Sequence, residues 1–174
     1  MTRKQPGRAS SARGLSTPAL VYLAEAGIEH TVHEFDHDPR STEFGLEAAR
    51  ELGVDPASVF KTLVWTVDGR PVIAIAPVTA TVAPKRLATA LGGRKAELAP
   101  AATAERLSGS VVGAISPVGL RQPAPVAIDT SVLDVPRAFI SAGRRGLEVS
   151  LAPADLIVAT SATVAPIAAA PTHR

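Results

Sequence analysis

Residues 59–67 read V-F-K-T-L-V-W-T-V, and the pair Asp68-Gly69 follows at once. The run is rich in β-branched and aromatic residues and is closed by turn chemistry, which predicts a β-strand. Apolar residues resume from Val72 to Ala76, so the two runs and the turn between them predict a hairpin. Side chains alternate faces along a strand. Val59, Lys61, Leu63, Trp65 and Val67 share one face; Phe60, Thr62, Val64 and Thr66 share the other. The lysine thus stands on the more apolar face. Either its ammonium snorkels to an edge, or it lines a pocket and meets an anionic or hydroxyl-rich ligand.

Upstream of the hairpin, Ser16-Thr17-Pro18 opens a helix with a hydroxyl cap and a first-turn proline, and Gly27 stops it. H-T-V-H-E-F, residues 30–35, alternates like a half-buried strand, and D-H-D-P makes a loop. Glu43 to Leu52 is helical in pattern and ends at Gly53. Downstream, Pro84 to Leu91 reads as a short basic helix stopped by Gly92-Gly93, and Pro100 to Leu107 as another. Val111-Val112, Val126 to Asp129, Ala138 to Ser141 and Leu147 to Leu151 read as strands between Gly/Pro turns, and Pro153 starts a last helix. No regular βαβ rhythm, dinucleotide-binding glycine fingerprint, Walker loop or internal repeat is present. The expected class is α+β with a mixed, curled sheet.

A length of 174 residues suits one domain around one core. Hydrophobic residues make up 46% but aromatics only 3%, so the expected core is Val, Leu, Ile and Ala. No apolar run reaches the roughly 18 residues a membrane span needs, and no secretory h-region is expected near the start. The absence of cysteine excludes disulfides, thiolate metal sites and a protein cysteine nucleophile. The formal charge of +2 is carried by the first 15 residues, which hold four basic residues and no acid. The remainder has 14 basic against 16 acidic residues, so the pI alone does not mark a nucleic-acid binder. Residues 1–15 are expected to be a disordered basic tail, a composition that a transit peptide also shows. Residues 16–160 are expected to form the domain. The chain from Ala159 is expected to fray, leaving 161–174 as an Ala/Pro-rich tail.

Five stretches carry candidate chemistry. His30, His33 and His37 with Asp36 and Asp38 look metal-like by composition, but odd spacing on a strand sends His30 and His33 to opposite faces. Lys85, Arg86, Arg94 and Lys95 form either a solvated helix surface or a phosphate patch. In G-A-I-S-P, residues 113–117, the glycine suggests close backbone approach, and exposed N–H groups there can hold an oxyanion; an ordinary turn is the alternative. S-A-G-R-R-G-L-E, residues 141–148, reads as a hairpin turn. Lys61 is the fifth. No Ser-His-Asp set can be argued, so positioning and backbone dipoles would carry any catalysis.

Taken in order, T-P-A-L, H-D-P, F-G-L-E-A-A-R-E-L-G, V-F-K-T-L-V, G-A-I-S-P and S-A-G-R-R-G-L-E resemble the YbaK/EbsC family between about Thr17 and Leu156. These are stand-alone editing proteins related to the insertion domain of bacterial prolyl-tRNA synthetases. The resemblance implies a barrel-like mixed sheet flanked by helices, a cytoplasmic location, no cofactor and no metal. It implies a deacylase that removes cysteine from tRNA(Pro) and tRNA(Cys), the substrate's own thiol attacking its carbonyl. Aminoacylated tRNA is the implied partner, and prolyl-tRNA synthetase a plausible second. By motif, the pocket lysine falls on Lys61 and the next threonine on Thr62. The G-x-x-x-P glycine falls on Gly113, with Ile115 and Ser116 inside the motif and Pro117 ending it. The pocket phenylalanine falls on Phe44, and the turn's serine and later glycine fall on Ser141 and Gly146. Departures lie at the presumed rim: Phe35 and Ser110 where tyrosine is common, Ala114 and Ala142 for glycine, Glu148 for aspartate, and G-L-R-Q at 119–122 for G-Q-K-K. They leave two alternatives open: a deacylase for alanine or another small residue by water attack, or a non-catalytic tRNA- or synthetase-binding paralogue.

Overall fold

A computed structural model describes residues 16–170. The hairpin is its centre: β2 (Phe60–Val67) pairs along its whole length with β3 (Arg70–Pro77). Asp68 and Gly69 take φ of 49° and 79°, the paired positive values that a two-residue hairpin turn requires. The Asp68 carboxylate accepts the Arg94 and Lys95 amides at 3.0 and 2.9 Å and so ties the turn to β5 (Ala96–Leu98).

The helices form where local chemistry predicts them. In α1 (Pro18–Glu25) the Thr17 hydroxyl accepts the Leu20 amide at 3.3 Å, with Pro18 in the first turn. α2 (Phe44–Leu52) ends at Gly53 in the left-handed region. α3 (Pro84–Ala90), α4 (Ala101–Ser108) and α5 (Pro153–Thr160) fall within a residue or two of expectation.

The strands form open sheets. The five-stranded sheet, in the order β5, β2, β3, β6 (Val126–Asp129), β9 (Thr163–Ala165), is mixed, since β6 runs parallel to both β3 and β9. A three-stranded antiparallel sheet has β8 (Leu147–Leu151) between β1 (Thr31–Glu34) and β7 (Ala138–Arg144). A single parallel bridge, Val59 to Phe139, joins it to the foot of β2. The expected α+β class and mixed sheet hold. The sheet curls without closing into a barrel.

Both faces of the hairpin are buried. Phe60, Val64, Ile73 and Ile75 enter one cluster with Ile140 and Val149 of the smaller sheet; Trp65, Val67, Val72 and Ala74 enter a second with Leu87 and Ile167. The core is aliphatic as expected: Phe60 is the one aromatic among the largest fully buried side chains. Complete burial of each Leu or Ile is worth roughly 1.5–3 kcal/mol, so many such residues replace the usual aromatics.

Two local expectations are corrected. Val111-Val112 is exposed loop, because Gly109 ends α4 in the left-handed region and turns the chain away from any partner strand. Thr163 to Ala169 does not fray: β9 pairs with β6, β10 (Ala168–Ala169) pairs with β4 (Thr81–Val82), and Ile167 between them is fully buried. The Asp129 carboxylate fixes this end by accepting the Ala168 amide at 2.8 Å. The expected basic tail, 1–15, lies outside the described residues. No helix among them is long and apolar enough to cross a membrane.

Candidate functional site

β5 covers only the far half of β2, pairing with Trp65 to Val67. The Val64 carbonyl accepts the Ala99 amide at 3.0 Å, and at the other end Val59 bridges to Phe139. Between these points the β2 edge has no strand beside it. A cavity of about 490 Å³ fills the gap, bounded by β2, the start of α2, the end of β5, α4 and the loop after it, and by Ser141 and Glu148 of the smaller sheet. That volume is in the range of small-molecule sites.

Three polar side chains in its lining are at least half-buried. Lys61 is half-buried; its Nζ donates to the Ala80 carbonyl at 2.6 Å, and burial lowers its pKa from the ordinary lysine value. Thr62 is buried and its hydroxyl has no partner. Glu148 is buried, with Oε2 unpartnered; burial pushes its carboxyl up to about 8. Strand register places Glu148 opposite Ser141 on β7 and His33 on β1. The Ser141 hydroxyl accepts the Gly143 amide at 3.3 Å.

The mouth is built by contact between loops distant in sequence. Gly113 has φ +88°, and a Cβ there would lie 2.5 Å from the Phe44 ring. Only glycine lets that ring lie against this backbone. The Arg145 guanidinium carbon lies over the Phe44 ring, 4.8 Å from its centroid, and the guanidinium donates to the Val112 carbonyl at 2.9 Å. The Ala114 amide bonds the Val111 carbonyl at 3.0 Å, whereas the Gly113 and Ile115 amides bond no group among the described residues. The loop before α2 is anchored by buried Glu47, which accepts from the Asp38 amide at 2.7 Å and pairs with His37 Nδ1 at 2.8 Å. Burial alone would raise the Glu47 carboxyl, but the Asp38 amide and the His37 ring outweigh it and hold it below its ordinary value.

Of the residues singled out from sequence, Lys61, Thr62, Phe44, Gly113, Ile115, Ser141 and Glu148 all line the cavity. The others do not. Phe35 and Gly146 meet each other in a separate shallow depression beside Arg144, where the Phe35 amide donates to the Gly146 carbonyl at 3.0 Å. Ser110 reaches the Gly143 carbonyl at 3.4 Å and ties the loop after α4 to the β7–β8 turn. Ser116 is buried and accepts the Val118 amide at 3.4 Å, and Pro117 is buried beside it. Leu46, Leu98 and Val112 line the cavity without having been expected there; nothing local in the sequence marks them. The histidines go to separate partners: His30 to the Ile28 carbonyl, His33 to Ser150, His37 to Glu47.

No histidine lines the cavity, and the one hydrogen bond of the Ser141 hydroxyl among the described residues is from the Gly143 amide. What the arrangement offers is a cation, a carboxyl that burial favours in its neutral form, two hydroxyls and free backbone donors around a half-open cavity.

Comparison with known proteins is consistent with this reading. The family model for the aminoacyl-tRNA editing domain matches residues 44–158. A protein of Enterococcus faecalis, provisionally named Cys-tRNA(Pro)/Cys-tRNA(Cys) deacylase EbsC, is 30% identical over 155 residues, spanning 87% of this chain and 92% of its own. A proline–tRNA ligase of Desulforamulus reducens is 29% identical over 126 residues, 71% of this chain but only 22% of the ligase. A crystal structure described provisionally as a trans-editing enzyme for prolyl tRNA synthetase superposes with a TM-score of 0.78 at 24% identity, covering 90% of this chain and 99% of that one. That likeness shows a shared fold.

Proposed function

The chain belongs to the aminoacyl-tRNA editing domain family, and from that premise we propose that this deacylase removes cysteine from tRNA(Pro), and from tRNA(Cys), by substrate-thiol-assisted cleavage. The observation that carries the mechanism is a cavity with polar anchors and no histidine lining it to activate its hydroxyls. An aminoacyl ester is already activated, so orientation and charge stabilisation suffice.

In this reading Lys61 exchanges the Ala80 carbonyl for a phosphate or ribose oxygen of the terminal adenosine. The ester carbonyl faces the Gly113 and Ile115 amides; one such oxyanion donor is worth roughly 3–4 kcal/mol. The substrate sulfur bonds to the carbonyl carbon, the ester C–O bond breaks, and the thiol proton ends on the departing ribose oxygen. The products are a thiolactone and free tRNA, and the reaction needs no cofactor. Glu148 and Thr62, both unpartnered, receive the polar end of the aminoacyl group, with Phe44 and Ser141 as walls. Phe35, Ser110, Ser116, Pro117 and Gly146 act at one remove by holding these walls. Selectivity comes from the thiol, because pocket size would separate cysteine from alanine by only about 1–3 kcal/mol. The cytoplasm, where aminoacyl-tRNA is made and used, is the proposed place of action. Prolyl-tRNA synthetase is the proposed partner, since a chain whose body carries a slight acidic excess would bind phosphates weakly alone.

The test is deacylation of cysteinyl-, alanyl- and seryl-tRNA(Pro) by the wild type and by Lys61→Ala. Rapid loss of cysteine alone, abolished in the variant with melting nearly unchanged, is expected. Equal rates on serine and cysteine would refute the thiol mechanism. Turnover of none of the three would refute the deacylase reading.

A further inference from the structure

The D-H-D-P loop, residues 36–39, has no part in the chemistry described so far, and its histidine does not line the cavity. The residues just after it do: the run from Thr42 to Leu46, which ends the loop and begins α2, forms one wall. That helix start is not fixed by its own cap, because the Glu43 side chain makes no capping bond. The anchor is Glu47 in the first turn, whose buried carboxylate reaches back to the Asp38 amide with Oε1 and to His37 Nδ1 with Oε2. A carboxylate only accepts, so Nδ1 carries a proton in this bond. The same imidazole meets the Phe44 ring, with centroids 5.7 Å apart and planes tilted by 34°. That separation falls within the roughly 4.5–7 Å at which aromatic rings attract. From behind, the β7–β8 turn closes on His37: a Cβ on Gly146 would lie 3.6 Å from the His37 Cβ and 2.5 Å from the Phe35 carbonyl oxygen. One ring is therefore held by Glu47 and by the turn, and it rests on a second ring that lines the cavity and touches Gly113.

We propose that His37 is a positioning residue: locked by Glu47, it buttresses the Phe44 ring against the Gly113 backbone and so sets the wall that orients the ester. The proposal rests on the deacylase reading for its effect on rate, though not for its geometry. An asparagine would satisfy Glu47 as well, but it has no ring for Phe44 to rest on. Orientation carries the catalysis proposed for this cavity, so a displaced wall costs rate more than affinity. His37 acts entirely through Phe44 in this scheme and touches neither the substrate nor the reacting atoms.

The test compares the wild type, His37→Asn, Phe44→Leu and the double variant, each as the full chain at a temperature where circular dichroism shows it folded. His37→Asn keeps an amide donor for Glu47 and removes the ring; His37→Gln serves as the second variant should the first misfold. With cysteinyl-tRNA(Pro), kcat should fall at least about tenfold while KM changes little; a misplacement of about 1 Å can cost about a hundredfold. The Gly113 amide resonance, followed by nitrogen–proton correlation NMR, should shift as well, because the Phe44 ring lies against that backbone. In the Phe44→Leu background the same substitution should cost little more, since its effect runs through the ring already removed. Additive losses, or an activity loss that only tracks unfolding, would reduce His37 to a structural residue and overturn the proposal. An unmoved Gly113 resonance with unchanged kcat would also overturn it and leave the function standing. A shifted resonance in His37→Asn, with no turnover of any of the three tRNAs by the wild type, would uphold the buttress and overturn the deacylase reading.

Discussion

Glu148→Gln separates the electrostatics of the cavity from its shape. The carboxyl is buried, lacks a partner on Oε2, and has its pKa raised from 4.5 to about 8. Between those values the folded chain keeps a proton that the unfolded chain has released. Stability from this group is therefore complete below about pH 4.5 and is lost as pH rises through about 8. At 1.36 kcal/mol per unit, the whole loss is at most roughly 5 kcal/mol, and water entering an open cavity will reduce it. Glutamine keeps the shape and cannot ionise. Urea denaturation of both proteins, followed by circular dichroism from pH 5 to 9, should show the variant gaining on the wild type by several kcal/mol as pH rises. His33, across the strand on β1, has its own pKa lowered, first by burial and then by Arg137. Parallel stability curves would show that Glu148 is already compensated or solvated in the fold, and the argument for a neutral acid in the cavity would fail.

Gly113→Ala should cost stability by about 1–2 kcal/mol for the positive φ and about 1–3 kcal/mol more for displacing the Phe44 ring. Activity should fall further, since that ring is a cavity wall; pairing it with Phe44→Leu should recover part of the stability but not the rate. His37→Ala removes the ring partner of the buried Glu47 carboxylate, and should destabilise by about 1–3 kcal/mol in chemical denaturation. Because the Glu47 pKa is depressed, its contribution is present above pH 4.5 and lost as pH falls below it; Glu47→Gln should flatten that acid limb, and an unchanged limb would refute the assignment.

Much of the fold was legible because it is written in local chemistry. Thr17-Pro18 caps α1, Asp68-Gly69 supplies the two positive φ values of the hairpin, and Gly53 closes α2; each acts within a few residues of itself. The ordered motifs also carried the family, and with it Lys61, Thr62, Phe44, Gly113, Ile115, Ser141 and Glu148, which the cavity gathers from four separate regions. The lysine on an apolar face proved to be half-buried in the cavity lining with a backbone carbonyl as its partner, an outcome between the two the alternation allowed.

Four features depended on the tertiary structure. The short strands β4, β5, β9 and β10 hold two or three residues each, too few for alternation to show, and exist because a partner distant in sequence completes their hydrogen bonds. Two adjacent alanines near the end pair with β4 only because Ile167 beside them is buried under the same sheet. The cavity lining draws Leu46, Leu98 and Val112 from three elements, and nothing in any one of them announces the others. The carboxyl of Glu148 is the clearest case. Its identity and strand were plain from the sequence, but its protonation is set by the low-dielectric surroundings that other strands bring to it, and no stretch of sequence contains those.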